Sequence, residues 1–262
     1  MTGVRVFTNG ILLDSFIPQL THPKMEICVN CNSPENMGEE AFAHMRNNLD
    51  ILMGMKDVKD RVKLGFNLYS DDMDYTYMME LLQRYDQHTV RTSLTVPDFS
   101  VCGDADAPEE FRKRKKFLLE FYRKMDSIVV LPFSDCNHPP YCIWTDEEKQ
   151  WLEAFVARHT TGESKLVGDH SRCNPVIDIL PDLRAVRCFG MSDFMKVPID
   201  AFRNIPDICD YFMTEIDSVA YKLPAREECK NCRNWQLRHC LAGCIGYKSA
   251  RIRACNETIA KT

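Results

Sequence analysis

Five cysteines within residues 229–255 constrain this 262-residue chain more than any other feature. Four lie in "CKNCRNWQLRHCLAGC", at C-x2-C-x7-C-x3-C, and Cys255 comes after them. Tetrahedral zinc needs four ligands, and two closely spaced cysteine pairs would supply them. Iron–sulfur clusters also take thiolates, about four per cubane. The plain alternative is a set of unrelated buried thiols, which such crowding disfavours. Disulfides fit less well. The N-terminal stretch MTGVRVFTNGILLDSF lacks a basic region followed by an apolar block, so no signal peptide is read and a cytoplasmic placement is expected. Disulfide frameworks are rare in reducing compartments. The chain's thirteen cysteines are also an odd number, so they cannot all pair internally.

Composition narrows the partners. The net charge of -5 favours neither nucleic acid nor an anionic membrane. No run of eighteen apolar residues is present, so no membrane span is expected. The RKRKK run lies in a helical pattern (108–125) with Phe111, Phe117, Leu118, Phe121 and Tyr122 along one stripe. Its bases therefore read as the solvated face of an amphipathic helix.

Along the chain, strands are predicted over 4–9, 24–30, 61–69, 89–97 and 127–133. Helices are predicted over 38–55, 74–88, 108–125 and 145–159. Asp71 or Asp72 is the expected N-cap of the second, and Thr145 with Glu148 forms a capping box for the last. Strands alternating with helices argue for a parallel α/β sheet or part of an α/β barrel. The segment after residue 160 is polar and reads as a linker. Beyond it come two short strands around Pro181-Asp182 and a helix over 204–220. Two domains are expected, 1–160 and 161–262.

Zinc at the cysteine cluster would leave one of its five thiols over, and would leave Cys173 and Cys188 unexplained. Those two bracket the hairpin-like "CNPVIDILPDLRAVRC". Taken together, Cys173, Cys188, the C-x2-C-x7-C-x3-C run and Cys255 resemble the SPASM domain of radical S-adenosylmethionine enzymes that mature ribosomal peptides and proteins. The likeness spans roughly residues 170–256. The usual family spacing has a middle gap of five, where this chain has seven.

The resemblance implies two auxiliary [4Fe-4S] clusters. Cys229, Cys232, Cys240 and Cys255 would hold one. Cys173, Cys188 and Cys244 would hold the other. Ile179 stands where many members carry a further cysteine. The fourth iron of that cluster is then open or filled from a distance, with Cys136 and Cys142 of "DCNHPPYC" as candidates and His170 as a weaker one. The N-terminal part is similar to the same superfamily. "VRVFTNGILL" looks like the third strand of its barrel, with a T-N-G ending, and the strands at 24–30, 61–69 and 89–97 would be the fourth to sixth.

The chain departs from the family in lacking the C-x3-C-x2-C motif and the Gly-Gly-Glu motif. Cys28-x2-Cys31 is its only N-terminal pair, and Lys24 stands where a third cysteine would fall, so the pair reads as core. The expected fold is α/β: a partial (β/α) radical SAM-type barrel followed by a small SPASM-like domain with a β-hairpin and a helix. S-adenosylmethionine is expected only if missing N-terminal strands are supplied, which would make the chain supplying them a partner.

Two functions are compatible with these features. One is an iron–sulfur protein of the maturase type acting on a peptide or protein, without its own S-adenosylmethionine-cleaving cluster. Lys230, Arg233, Arg238 and Arg251 are then placed to tune the clusters, or are plain surface charges. The other is a non-catalytic peptide-binding module stabilised by iron–sulfur or zinc. No P-loop, G-x-S-x-G, HExxH or G-x-G-x-x-G motif points elsewhere.

Overall fold

The computed structural model describes residues 3–70, 72–94, 107–125, 131–136, 141–159, 177–224, 227–240, 244–249, 251–253 and 255. The chain forms two compact units, one from residues 1–95, 120–136 and 155–163, the other from 96–119, 137–154 and 164–262. The class is α/β, as the alternation of elements predicts.

In the first unit, strands β1 (Val4–Thr8), β2 (Met25–Asn30), β3 (Val62–Leu68), β4 (Thr89–Leu94) and β5 (Leu131–Cys136) form one sheet. Every pairing is parallel, and the spatial order equals the chain order. Side chains alternate faces along a strand, and the register stacks like with like. Val29, Leu64 and Val90 align across three strands, as do Leu68 and Leu94 across two. All are buried. The opposite face carries Phe7, Asn30, Lys63, Asn67, Arg91 and Ser93, all half-buried. One face is therefore an apolar floor, and the other is mostly polar, with Phe7 and the buried Cys28 among its members.

The helices explain the apolar floor. One-turn helices α1 (Ile17–Leu20) and α2 (Pro34–Met37) precede α3 (Glu39–Gly54), which buries Met45, Leu49 and Leu52. Met45 and Val29 meet beside Gly10. Helix α4 (Thr76–Arg84) sets Tyr77 edge-on to Phe66, with ring centroids 6.1 Å apart. Both helices thus lie on the apolar face. Right-handed crossovers between strands laid down in chain order place successive helices on one side. The strand order never reverses, so the sheet has no switch point of the doubly wound kind.

Two details depart from expectation. Helix α4 starts later than predicted, and Asp74, not Asp72, accepts from Thr76 N at 2.8 Å. Asp72 instead accepts from Ser70 Oγ, and Asp71 lies outside the described residues. In α5 (Ala107–Met125), Phe117, Leu118, Phe121 and Tyr122 are buried as the stripe predicts. The basic run is not wholly solvated, however. Arg114 is buried, and Lys115 Nζ lies 2.9 Å from a Glu148 oxygen.

The capping box of α6 (Asp146–His159) forms as predicted. Thr145 N donates to Glu148 Oε2 at 2.7 Å, and Glu148 N donates to Thr145 Oγ1 at 3.2 Å. Thr145→Ala is expected to lower stability by about 1 kcal/mol. The urea midpoint measures this, and an unchanged midpoint would mean the box contributes nothing.

The second unit holds a small antiparallel sheet of β6 (Asp178–Ile179), β7 (Arg184–Val186) and β8 (Val197–Pro198). The hairpin turns at Pro181-Asp182 as expected, whereas β8 is an addition. The linker expected after residue 160 lies outside the described residues. Helix α7 (Ile205–Phe212) is capped by Asn204, whose side chain accepts from Asp207 N at 3.0 Å. It continues through a π turn (Met213–Asp217) into α8 (Ser218–Ala220). Ala185, Met191, Ile208, Phe212, Ile216, Ala220, Ile245 and Ile252 pack into one core.

Candidate metal centre

The cysteine run folds as a series of tight turns. Cys229 lies in a 3-10 turn (Glu227–Asn231), and Cys232 N donates to its carbonyl at 3.0 Å. Cys232 is the exposed N-cap of α9 (Arg233–Gln236). The chain then reverses at Arg238, whose φ is +56°. His239 N and Cys240 N both donate to Asn234 O, at 2.8 and 3.2 Å. The seven-residue gap is thus one short helix and a return. Cys244 opens the next turn (Ile245–Lys248), and its sulfur accepts Gly246 N–H at 3.3 Å. An N–H aimed at sulfur stabilises a thiolate more than a thiol. Cys255 is half-buried.

At this run lies a residue that motif reading passes over. Lys248 is fully buried, and its ammonium donates to Ala220 O at 3.0 Å. Burial pushes it down to about 8 and nearby Arg251 acts the same way, while Cys229 and Cys240 oppose the shift. A signal was present in the sequence: Ile245, Lys248 and Ile252 recur at helical spacing, and both isoleucines are buried. The indole Nε1 of Trp235, inside the seven-residue gap, is also buried, with no hydrogen-bond acceptor among the described residues.

Cys188 is half-buried beside Arg187 and caps a 3-10 turn (Phe189–Met191). Asp178 Oδ2 accepts from Phe189 N at 2.8 Å, which fixes that corner. Cys173 and His170 lie outside the described residues. Cys136 ends β5, though its side chain is not among those described, and Cys142 is exposed. Among the described residues, no three potential ligands stand together as a metal site. Thiolates are the ligands an iron–sulfur group takes, but the described cysteines are not gathered into such a set.

The four basic residues separate by exposure. Lys230, Arg233 and Arg238 are exposed, with Lys230 paired to Glu227 at 2.8 Å and Arg238 stacked 6.0 Å from the Tyr221 ring. Arg251 is half-buried and donates to Pro224 O at 2.6 Å. Cys28 and Cys31 are buried in the first unit. Burial pushes both thiols up, Cys31 beyond the usual thiol range. A raised thiol pKa suits packing more than metal binding.

Comparison with known proteins gives no significant match to a family model, a curated protein or a solved structure. Among the described residues, no helix is long and apolar enough to cross a membrane.

Proposed function

We propose that this chain is an iron–sulfur protein of the radical SAM/SPASM maturase type, acting on a ribosomal peptide or protein. The observation that supports it most is the sheet. Five parallel strands in chain order, with α3 and α4 on the apolar face and polar residues on the other, have the layering of part of a (β/α) barrel. In such a barrel, sites for substrate and cofactor are built at the C-terminal ends of the strands. Cys229, Cys232, Cys240 and Cys255 would hold one [4Fe-4S] cluster. Cys173, Cys188 and Cys244 would ligate a second. Bound clusters would supply electron relay or an anchoring iron. The residues around them would set their charge balance and exclude water. Binding of S-adenosylmethionine would require strands, and a cluster motif, from a further chain.

The test is anaerobic reconstitution, then assay of iron, sulfide and zinc. About eight irons per chain support two cubanes, and about four support one. Zinc alone overturns the reading and leaves a metal-stabilised peptide-binding module. Cys232→Ala is expected to remove about four irons per chain, one cubane's worth. Cys28→Ala should leave iron unchanged, since its thiol is buried in the sheet. Equal losses from the two variants would refute the ligand assignment.

A further inference from the structure

We propose that the polar face of the first unit's sheet binds an acidic peptide segment, with Arg91 taking its carboxylate and Asn30 Oδ1 accepting one of its backbone N–H groups. The inference rests on the peptide-binding part of the reading above, and narrows it to peptides that carry a carboxylate.

Two cations on this face lack an anionic partner. Phe7, Cys28 and Lys63 align in one row across β1 to β3, and Asn30, Gly65 and Arg91 in the next row across β2 to β4. Lys63 and Arg91 are half-buried, and the side chain of neither makes a hydrogen bond or ion pair among the described residues. Glu26 is the carboxylate that β1 to β4 place on this face, and Arg5 already holds it at 2.6 Å. In a chain of net charge -5, this face carries a local excess of the opposite sign, which favours an anionic ligand.

Gly65 leaves the middle of its row without a side chain. A Cβ there would lie 2.7 Å from Asn30 Oδ1 and 3.2 Å from Cys28 Sγ. Arg91 extends across the sheet. Its guanidinium carbon lies 5.2 Å from the centroid of the Phe7 ring on β1, with two strands between. Stacking on an aromatic ring orients a guanidinium, and its planar fork matches a carboxylate. Asn30 Oδ1 is removed from solvent and has no hydrogen-bond partner among the described residues. Buried acceptors left unmatched are unfavourable and uncommon. Asn32 Oδ1, by contrast, is satisfied by Asn67 Nδ2 at 3.1 Å and Tyr69 OH at 2.6 Å. One row of the sheet thus holds unused guanidinium donors and an unused buried acceptor. An acidic peptide supplies both complements, a carboxylate and a backbone N–H. Phosphate brings oxygen acceptors and leaves Asn30 Oδ1 unmatched. Lys63, one row away, adds attraction as a point charge without a fixed geometry.

The test titrates full-length protein with two blocked tripeptides, acetyl-Ala-Glu-Ala-amide and acetyl-Ala-Gln-Ala-amide, followed by NMR shifts. Wild type is expected to bind the Glu peptide about tenfold more tightly, the value of one charge-assisted hydrogen bond. Arg91→Met should abolish that preference. Asn30→Ala should weaken both peptides about fivefold, one neutral hydrogen bond, and keep the preference. In wild type the Nε–Hε signal of Arg91 should move with the Glu peptide and stay still with the Gln peptide. Equal binding of the two peptides, or binding of neither, overturns the inference without any variant. So does a folded Arg91→Met protein that keeps the preference. An Arg91 signal that the Glu peptide leaves in place overturns the assignment even where the variant does not fold. Inorganic phosphate that binds more tightly than the Glu peptide and displaces it would make this a phosphate site and overturn the peptide class. Zinc alone in the metal assay overturns the maturase reading and leaves the preference to be read on the same protein, so the two failures are distinguishable.

Discussion

Asp217→Asn is expected to destabilise the protein by about 3–5 kcal/mol, the range for breaking one side of a buried ion pair. Arg187 Nε donates to Asp217 Oδ1 at 2.8 Å, and Nη2 donates to Oδ2 at 3.1 Å. The two bonds are parallel, the geometry in which guanidinium and carboxylate match best. Both side chains are almost wholly removed from solvent. The pair joins distant parts of the chain. Arg187 comes directly after the last residue of β7, and Asp217 ends the π turn after α7. A π turn adds a residue to the helical repeat and so rotates the next turn of helix. Here the residue at its end is the partner of Arg187. An amide at 217 would retain part of the hydrogen bonding and none of the charge, leaving the guanidinium costly to bury. The double variant Arg187→Met with Asp217→Leu removes both charges and should recover most of the loss. Urea midpoints at constant m-value measure all three. A loss below about 1 kcal/mol for Asp217→Asn, as for an exposed pair, would show that the buried pair contributes little.

Regular elements were legible because their signals are local. Alternation from Val62 to Leu68 alone identifies β3, whose buried and half-buried positions keep that period except at Gly65. Thr145 and Glu148 mark the start of α6 through bonds made within one turn. Pro181-Asp182 marks the hairpin for the same reason. Features made by long-range packing were not legible. Strand β8 is two residues long and exists because β7 offers it an edge. Arg114 is buried although its neighbours Arg112 and Lys113 are exposed, so the basic run does not behave as one face. Lys248 is the clearest case. Composition alone assigns a lysine to the surface, and only its place between Ile245 and Ile252 argues otherwise.

The cysteines show the same division. The spacing of Cys229 and Cys232 defines a turn, and the turn is there. The gap of seven before Cys240, the least family-like part of the motif, folds into α9 and a reversal that brings Cys240 N to Asn234 O. A longer gap therefore need not carry the thiol away.

Gly10→Ala should cost about 2–5 kcal/mol, from two independent sources. Gly10 has φ of +80°, a left-handed conformation that costs an L-residue about 1–2 kcal/mol. An added Cβ would also lie 2.7 Å from Met45 Cγ and 2.9 Å from Val29 Cγ1. Overpacking of this kind costs about 1–3 kcal/mol. The turn has little freedom to yield. Gly10 N donates to Thr8 Oγ1 at 3.1 Å, and Ile11 N to Asn9 Oδ1 at 3.2 Å. From beneath, buried Asn48 Nδ2 donates to Gly10 O and Ile11 O at 2.9 and 3.0 Å. The T-N-G sequence at the end of β1 is thus a turn held by its own side chains and by α3. A double-mutant cycle isolates the Met45 contribution. In a Met45→Ala background the clash with Met45 is gone while the backbone cost remains. Gly10→Ala should then be cheaper by roughly 0.5–3 kcal/mol, the range for residues in contact. If the cost were the same in both backgrounds, the penalty would lie in the backbone and the Val29 contact, and Met45 of α3 would play no part in requiring glycine.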